Sequence, residues 1–74
     1  MTDSDGTPLA AGDRVLVYRA GVTETAEVRV PDPRLGLSQS YITLRWDDGF
    51  LVSYVLTAEG KPAVPADWRI VKIA

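Results

Sequence analysis

The sequence predicts a small all-β domain of five short strands, and three observations carry that prediction. The first is the run from Tyr41 to Val55, where an alternating segment, Tyr-Ile-Thr-Leu-Arg-Trp, meets an Asp-Asp-Gly turn and then a second β-rich segment, Phe-Leu-Val-Ser-Tyr-Val. The second is period-two alternation in two earlier segments, Arg14 to Arg19 and Thr23 to Val30, which is the signature of strands with one buried face. The third is the lack of any amphipathic helical pattern long enough to lie on a membrane or form a coiled coil.

The elements follow in order. Residues 1 to 11 mix Asp, Ser, Thr, Gly and Pro without periodicity, so a flexible acidic lead is expected before a single domain over residues 12–74. Gly12-Asp13 marks a turn, and Arg14 to Arg19 reads as the first strand, rich in β-branched and aromatic residues. Val15 and Val17 share one face, and Arg14, Leu16 and Tyr18 the other. Ala20-Gly21 is the next break. In the second strand Ala26, Val28 and Val30 face one way, and Thr25, Glu27 and Arg29 the other.

Pro31 to Gln39 reads as a loop, because its two prolines donate no backbone hydrogen bond and Gly36 weakens extended structure. Leu35 and Leu37 within it are expected to fold back over an open end of the sheet. The register of the hairpin that follows can be argued. A two-residue Asp48-Gly49 turn would bring Ser53 onto the face of Ile42, Leu44 and Trp46. A type I turn at Asp47-Asp48, with Gly49 as a left-handed bulge, brings Phe50, Val52 and Tyr54 there instead. A one-residue slip moves a whole set of side chains, and the bulged turn buries three large residues; that register is the expectation. Ala66-Asp-Trp-Arg69 is expected to form a one-turn helix with Trp68 its most buriable residue, and Ile70 to Ile73 the last strand.

Composition limits function. The chain has 74 residues, and a domain of this size hides only about 60% of its unfolded surface. It contains no cysteine and no histidine, which removes disulfides, thiolate or imidazole metal ligands, the thiol nucleophile and the usual general base. The adjacent Asp47 and Asp48 are expected to be solvated turn residues without the burial that raises a carboxyl pKa. The six glycines are scattered singly, so no phosphate loop exists. The expectation is a chain that is not an enzyme and carries no cofactor and no metal. Nothing approaches the length of a bilayer span, and the acidic start is unlike a secretory signal, so a cytoplasmic protein is expected. Six arginines to two lysines is the bias of a GC-rich genome, as in a small bacterial or phage domain.

The net charge of −2 is uneven. Removing Asp3, Asp5 and Asp13 from the ten acidic residues leaves seven against eight basic ones, a near-neutral body of +1. That disfavours the broad positive field of non-specific nucleic-acid binding.

Gly12-Asp13-Arg14-Val15, the Ile42 to Phe50 segment with its Trp-Asp-Asp-Gly turn, and Ala66-Asp67-Trp68-Arg69 together resemble the SH3-like barrel, particularly its Tudor-like branch. The resemblance implies a five-stranded barrel with a one-turn helix before the last strand. Tudor-like readers hold a methylated cation in an aromatic cage. Here the loop from Arg19 to Thr25 has no ring, and the chosen register turns Phe50 and Tyr54 toward the core. Gly12 to Val17 followed by Ala20-Gly21 also resembles the KOW-type modules of ribosomal and transcription proteins, which implies nucleic-acid binding.

What remains is the outer face. Tyr18, Arg29, Tyr41, Arg45 and Leu51 all fall on it, and Arg and Tyr beside exposed aliphatic residues have the composition of an interface. The expected function is a non-enzymatic module that binds another protein or itself through this face. The alternative is a KOW-like nucleic-acid binder in which Tyr18, Tyr41, Arg29 and Arg45 stack on bases and meet phosphates.

Overall fold

The computed structural model describes residues 1–29 and 41–73. Val30, Leu35 and Leu37 lie outside the described residues. The strands are β1 (Arg14–Arg19), β2 (Val22–Arg29), β3 (Tyr41–Trp46), β4 (Leu51–Val55) and β5 (Arg69–Lys72). They form one antiparallel sheet in the order β4-β3-β2-β1-β5. Among the described residues there is no helix, hence none long enough to cross a membrane.

The alternation that identified the strands also builds the core. Val15 and Val17 of β1, Ala26 and Val28 of β2, Ile42 and Leu44 of β3 and Ile70 of β5 are fully buried on one face of the sheet. Cross-strand partners share a face, and the pairings Val15 with Ala26, Val28 with Leu44 and Val17 with Ile70 make this set contiguous.

Both tight hairpins place a glycine at a position of positive φ. Between β1 and β2, Ala20 and Gly21 both have positive φ, 46° and 83°, with Arg19 paired to Val22. That is the two-residue type I′ connection, whose twist suits adjoining strands. Between β3 and β4, Gly49 has φ 93°, its N–H donates to Trp46 O at 2.9 Å, and Trp46 N–H donates to Phe50 O at 2.9 Å. Ile42 lies opposite Tyr54 and Leu44 opposite Val52. The bulged register argued from the sequence is the one observed.

Phe50 departs from the expectation of core burial: it is 71% exposed. Parity assigns a side chain to a face, but burial requires that the face continue past it. Phe50 stands at the rim, before β4 begins. Trp46, Val52 and Tyr54 are partly buried and pack against the core.

The one-turn helix expected at residues 66–69 is a turn. Trp68 N–H donates to Pro65 O at 2.9 Å, and Arg69 already pairs with Tyr18 in β5. A helical nucleus fixes several residues for one hydrogen bond, and the ladder with β1 supplies more bonds to the same residues. β5 accordingly begins one residue before the expected Ile70.

The segment read as a flexible lead is tied to the domain. Leu9 is part of the buried core, and Asp3 is 1% exposed. Thr2 bridges to Pro8, Thr2 N–H donates to Gly60 O, and Ser4 N–H donates to Ile70 O, both at 2.8 Å. Asp3 Oδ1 accepts from the N–H groups of Asp5 at 2.9 Å and Thr7 at 2.8 Å, and Oδ2 from that of Lys72 at 2.9 Å. Side-chain acceptors replace the strand partner that β5 lacks on this side.

Candidate functional site

The outer face is ordered in cross-strand rows. One row runs Arg14, Glu27, Arg45, Leu51 across β1 to β4; the next runs Arg29, Thr43, Ser53, and the last is Tyr41 beside Val55. Of the five candidate residues, Arg29, Tyr41, Arg45 and Leu51 thus occupy neighbouring rows on β2, β3 and β4. Tyr18 is not brought to them. It pairs with Thr23 and Arg69, at the other end of the sheet and on the order of 20 Å away along the strand direction.

The charges on this face are largely matched. Arg14 Nη2 lies 3.2 Å from Asp47 Oδ1, and Arg29 Nη1 lies 3.0 Å from Glu27 Oε1. The Thr25 hydroxyl donates to Asp47 Oδ2 at 2.7 Å. Asp47 is held below its ordinary value of 3.8 by the Thr25 hydroxyl and then by the Arg14 guanidinium. The Asp47-Asp48 pair is exposed and its Asp48 Oδ1 accepts the Phe50 N–H at 3.2 Å, an Asx turn. Both carboxylates serve the turn.

The apolar part of the face lies on β4. Leu51 is 64% and Val55 50% exposed, with Ser53 between them bonded to the Thr43 hydroxyl at 2.9 Å. Phe50 extends the exposed apolar surface around the rim. β4 is also an outside strand of the sheet.

At the opposite face, close to the β1–β2 turn, stands a cluster that inspection of the outer surface alone misses. The Arg19 guanidinium carbon is 4.7 Å from the centre of the Trp46 ring and 5.6 Å from that of Trp68. Arg19 Nη2 donates to Glu24 Oε1 at 2.7 Å, and Tyr54 meets Trp68 edge to face at 6.3 Å between centroids. Burial raises the Tyr54 phenol above its usual 10.0, with Arg19 lowering it and Glu24 raising it by lesser amounts. A cation between two ring faces is an attractive arrangement. An open cavity of about 450 Å³ beside it is lined by Thr23, Glu24, Thr25, Trp46, Asp47 and Asp48.

The parity of the sequence did signal part of the cluster: Arg19 follows Val15 and Val17, Glu24 precedes Ala26, and Trp46 follows Ile42 and Leu44. Trp68, in a connection without periodicity, carried no such signal. Among the described residues no group of His, Cys, Asp and Glu is placed to hold a metal ion. Compared with known proteins, the chain matches no protein-family model, no curated protein and no solved structure.

Proposed function

We propose that the chain is a non-enzymatic protein-binding module that works through the β3–β4 part of its outer face. The observation that carries this reading is the exposure of Leu51 and Val55 on that face, flanked by Arg45 and Tyr41. Covering a side chain the size of leucine is worth about 1.5–3 kcal/mol, and a planar donor and a phenol at its border add direction. Tyr18 falls outside the proposed surface. The absence of histidine and cysteine from the sequence and the exposure of Asp47 and Asp48 support the non-enzymatic part of the reading.

The architecture we propose is an SH3-like barrel of Tudor-like type. What supports closure is the N-terminal segment, which bonds to β5 through Ile70 and to the turn after β4 through Gly60. A methyl-cation cage is not part of the proposal, because the faces of Trp46 and Trp68 are already taken by Arg19. Nor is a KOW-like role: Glu27 and Asp47 neutralise Arg29 and Arg14 on the face that would track phosphates.

The test is a photo-crosslinking side chain at Leu51, compared with one at the exposed Asp67, in cells of the native host. A discrete protein adduct from position 51, absent from position 67 and lost with Tyr41→Ala and Arg45→Ala, is expected. No adduct from position 51, or instead oligonucleotide binding that weakens steeply with salt, would remove the reading.

A further inference from the structure

The two outside strands of the sheet are treated differently. In β5 the residues whose N–H groups point away from β1 are Ile70 and Lys72, because Ile73 N–H already donates to Arg14 O and the direction alternates along a strand. Both outward donors are satisfied by the N-terminal segment: Ile70 N–H by Ser4 Oγ at 2.9 Å, and Lys72 N–H by Asp3 Oδ2 at 2.9 Å. This edge is capped.

Among the described residues, β4 is covered only at its far end. Phe50 O accepts from Trp46 in β3, so by alternation Leu51, Ser53 and Val55 point their backbone groups outward. Val55 O is taken by Ala63 N–H at 2.7 Å, where the chain doubles back through the Leu56–Pro62 bridge. Among the described residues, the outward groups of Leu51 and Ser53 have no partner. No charged residue occurs from Phe50 to Ala58, whereas edges kept from pairing usually carry lysine, proline or an inward charge.

We propose that the occupant of this edge is β4 of a second copy, paired antiparallel about a two-fold axis at Val52. The proposal rests on the reading that the β4 side of the sheet is the side used, and it names the partner. The register follows from what is free. An axis at Ser53 would set Leu51 against Val55, whose outward carbonyl already belongs to Ala63. An axis at Val52 sets Leu51 against Ser53 of the second copy, and each pair exchanges both hydrogen bonds.

Side chains fit the same register. On the inner face Phe50, the most exposed large apolar residue among those described, comes opposite Tyr54 of the second copy, and Val52 opposite Val52, with no like charges facing. On the outer face one row continues across the axis: Arg45, Leu51, then Ser53 and Thr43 of the second copy. The two apolar strips become one surface. An isologous pairing of this kind uses up both β4 edges, and since each β5 edge is capped by its own N-terminal segment, assembly stops at two.

Sedimentation velocity of the full chain from micromolar to millimolar concentration tests this. The mass is expected to rise from 8.0 kDa toward twice that value. Ser53→Pro deletes the outward backbone donor and keeps the backbone bonds of β4 to β3, losing there only the side-chain bond to Thr43, and is expected to keep the chain monomeric. If that variant folds poorly, Ser53→Lys, which places a charge at the edge, is expected to weaken the dimer about tenfold or more. The chain has no cysteine of its own, so Val52→Cys reports the axis: it is expected to oxidise to a covalent dimer far faster than Thr57→Cys. A wild-type chain that stays at 8.0 kDa throughout, association indifferent to the Ser53 variants, or equal oxidation at positions 52 and 57 would overturn the proposal. The adduct formed at position 51 decides the broader reading separately, since a monomer could still bind a different protein there.

Discussion

Asp3 carries more of the structure than a carboxylate near a chain end ordinarily does. It sits just beneath the surface, at 1% exposure, and its two oxygens accept three backbone N–H groups from Asp5, Thr7 and Lys72. Burial pushes its pKa up, but the N–H groups of Lys72, Thr7, Asp5 and Gly6 outweigh it and leave the carboxyl below its ordinary 3.8. A carboxyl with a depressed pKa in the folded state stabilises the fold above its unfolded value and loses that contribution as pH falls through the folded one. Stability is therefore expected to decline with acidification below about 3.8. Asp3→Ala strands buried donors and is expected to cost about 2–3 kcal/mol. Asp3→Asn keeps the shape and one acceptor, so it should cost less and flatten the acid limb. Urea unfolding of the three proteins between pH 2 and 7 checks both the order and the flattening, and an acid limb unchanged in Asp3→Asn would mean another carboxylate governs it.

At the scale of elements, the strands were legible because their faces are written twice, once in each partner of a pair. Trp46 and Phe50 flank a turn whose alternative registers bury different sets of residues, and counting those sets was enough to choose. Exposure at the rim was not legible. Phe50 has the parity of Val52 and Tyr54, yet only the extent of the sheet, a tertiary property, decides that it is bare. The two hairpins also differ in how well their turn residues suit them. Gly49 adopts φ 93° where a Cβ would meet Arg45 at an ordinary 3.8 Å, so Gly49→Ala is strained by backbone alone and is expected to cost about 1–2 kcal/mol. Ala20 is the reverse case: a residue with a Cβ held at φ 46°. Ala20→Gly or Ala20→Asn is expected to leave stability unchanged or raise it by up to about 1 kcal/mol, since both residues tolerate that region. Chemical denaturation of the pair separates the predictions by sign, and a loss in Ala20→Gly as large as that in Gly49→Ala would contradict them.

For the whole molecule, what the sequence concealed was the N-terminal segment. Its Asp, Ser, Gly and Pro residues have no period because they form no ladder. Asp3 and Ser4 act on β5 through side-chain oxygens, and Leu9 reaches the core as a single apolar residue. Nothing local distinguishes such a segment from a solvated lead; only the outward donors of β5, 66 and 69 residues away in the chain, give its polar side chains a purpose. The consequence is measurable amide by amide. Among the described residues, the Ile70 and Lys72 N–H groups bond only to Ser4 and Asp3 side chains, whereas those of Ile42 and Leu44 lie within the β3 ladders. In the combined variant Asp3→Ala with Ser4→Gly, hydrogen exchange at Ile70 and Lys72 is expected to accelerate by more than at Ile42 and Leu44, because local opening of an uncapped edge needs less free energy than opening the centre of the sheet. If instead all four amides accelerate by the same factor, the segment stabilises the domain globally without acting as a cap. If none accelerates, the side chains of Asp3 and Ser4 do not hold that edge at all, and the contrast between a capped β5 and an open β4 disappears with them.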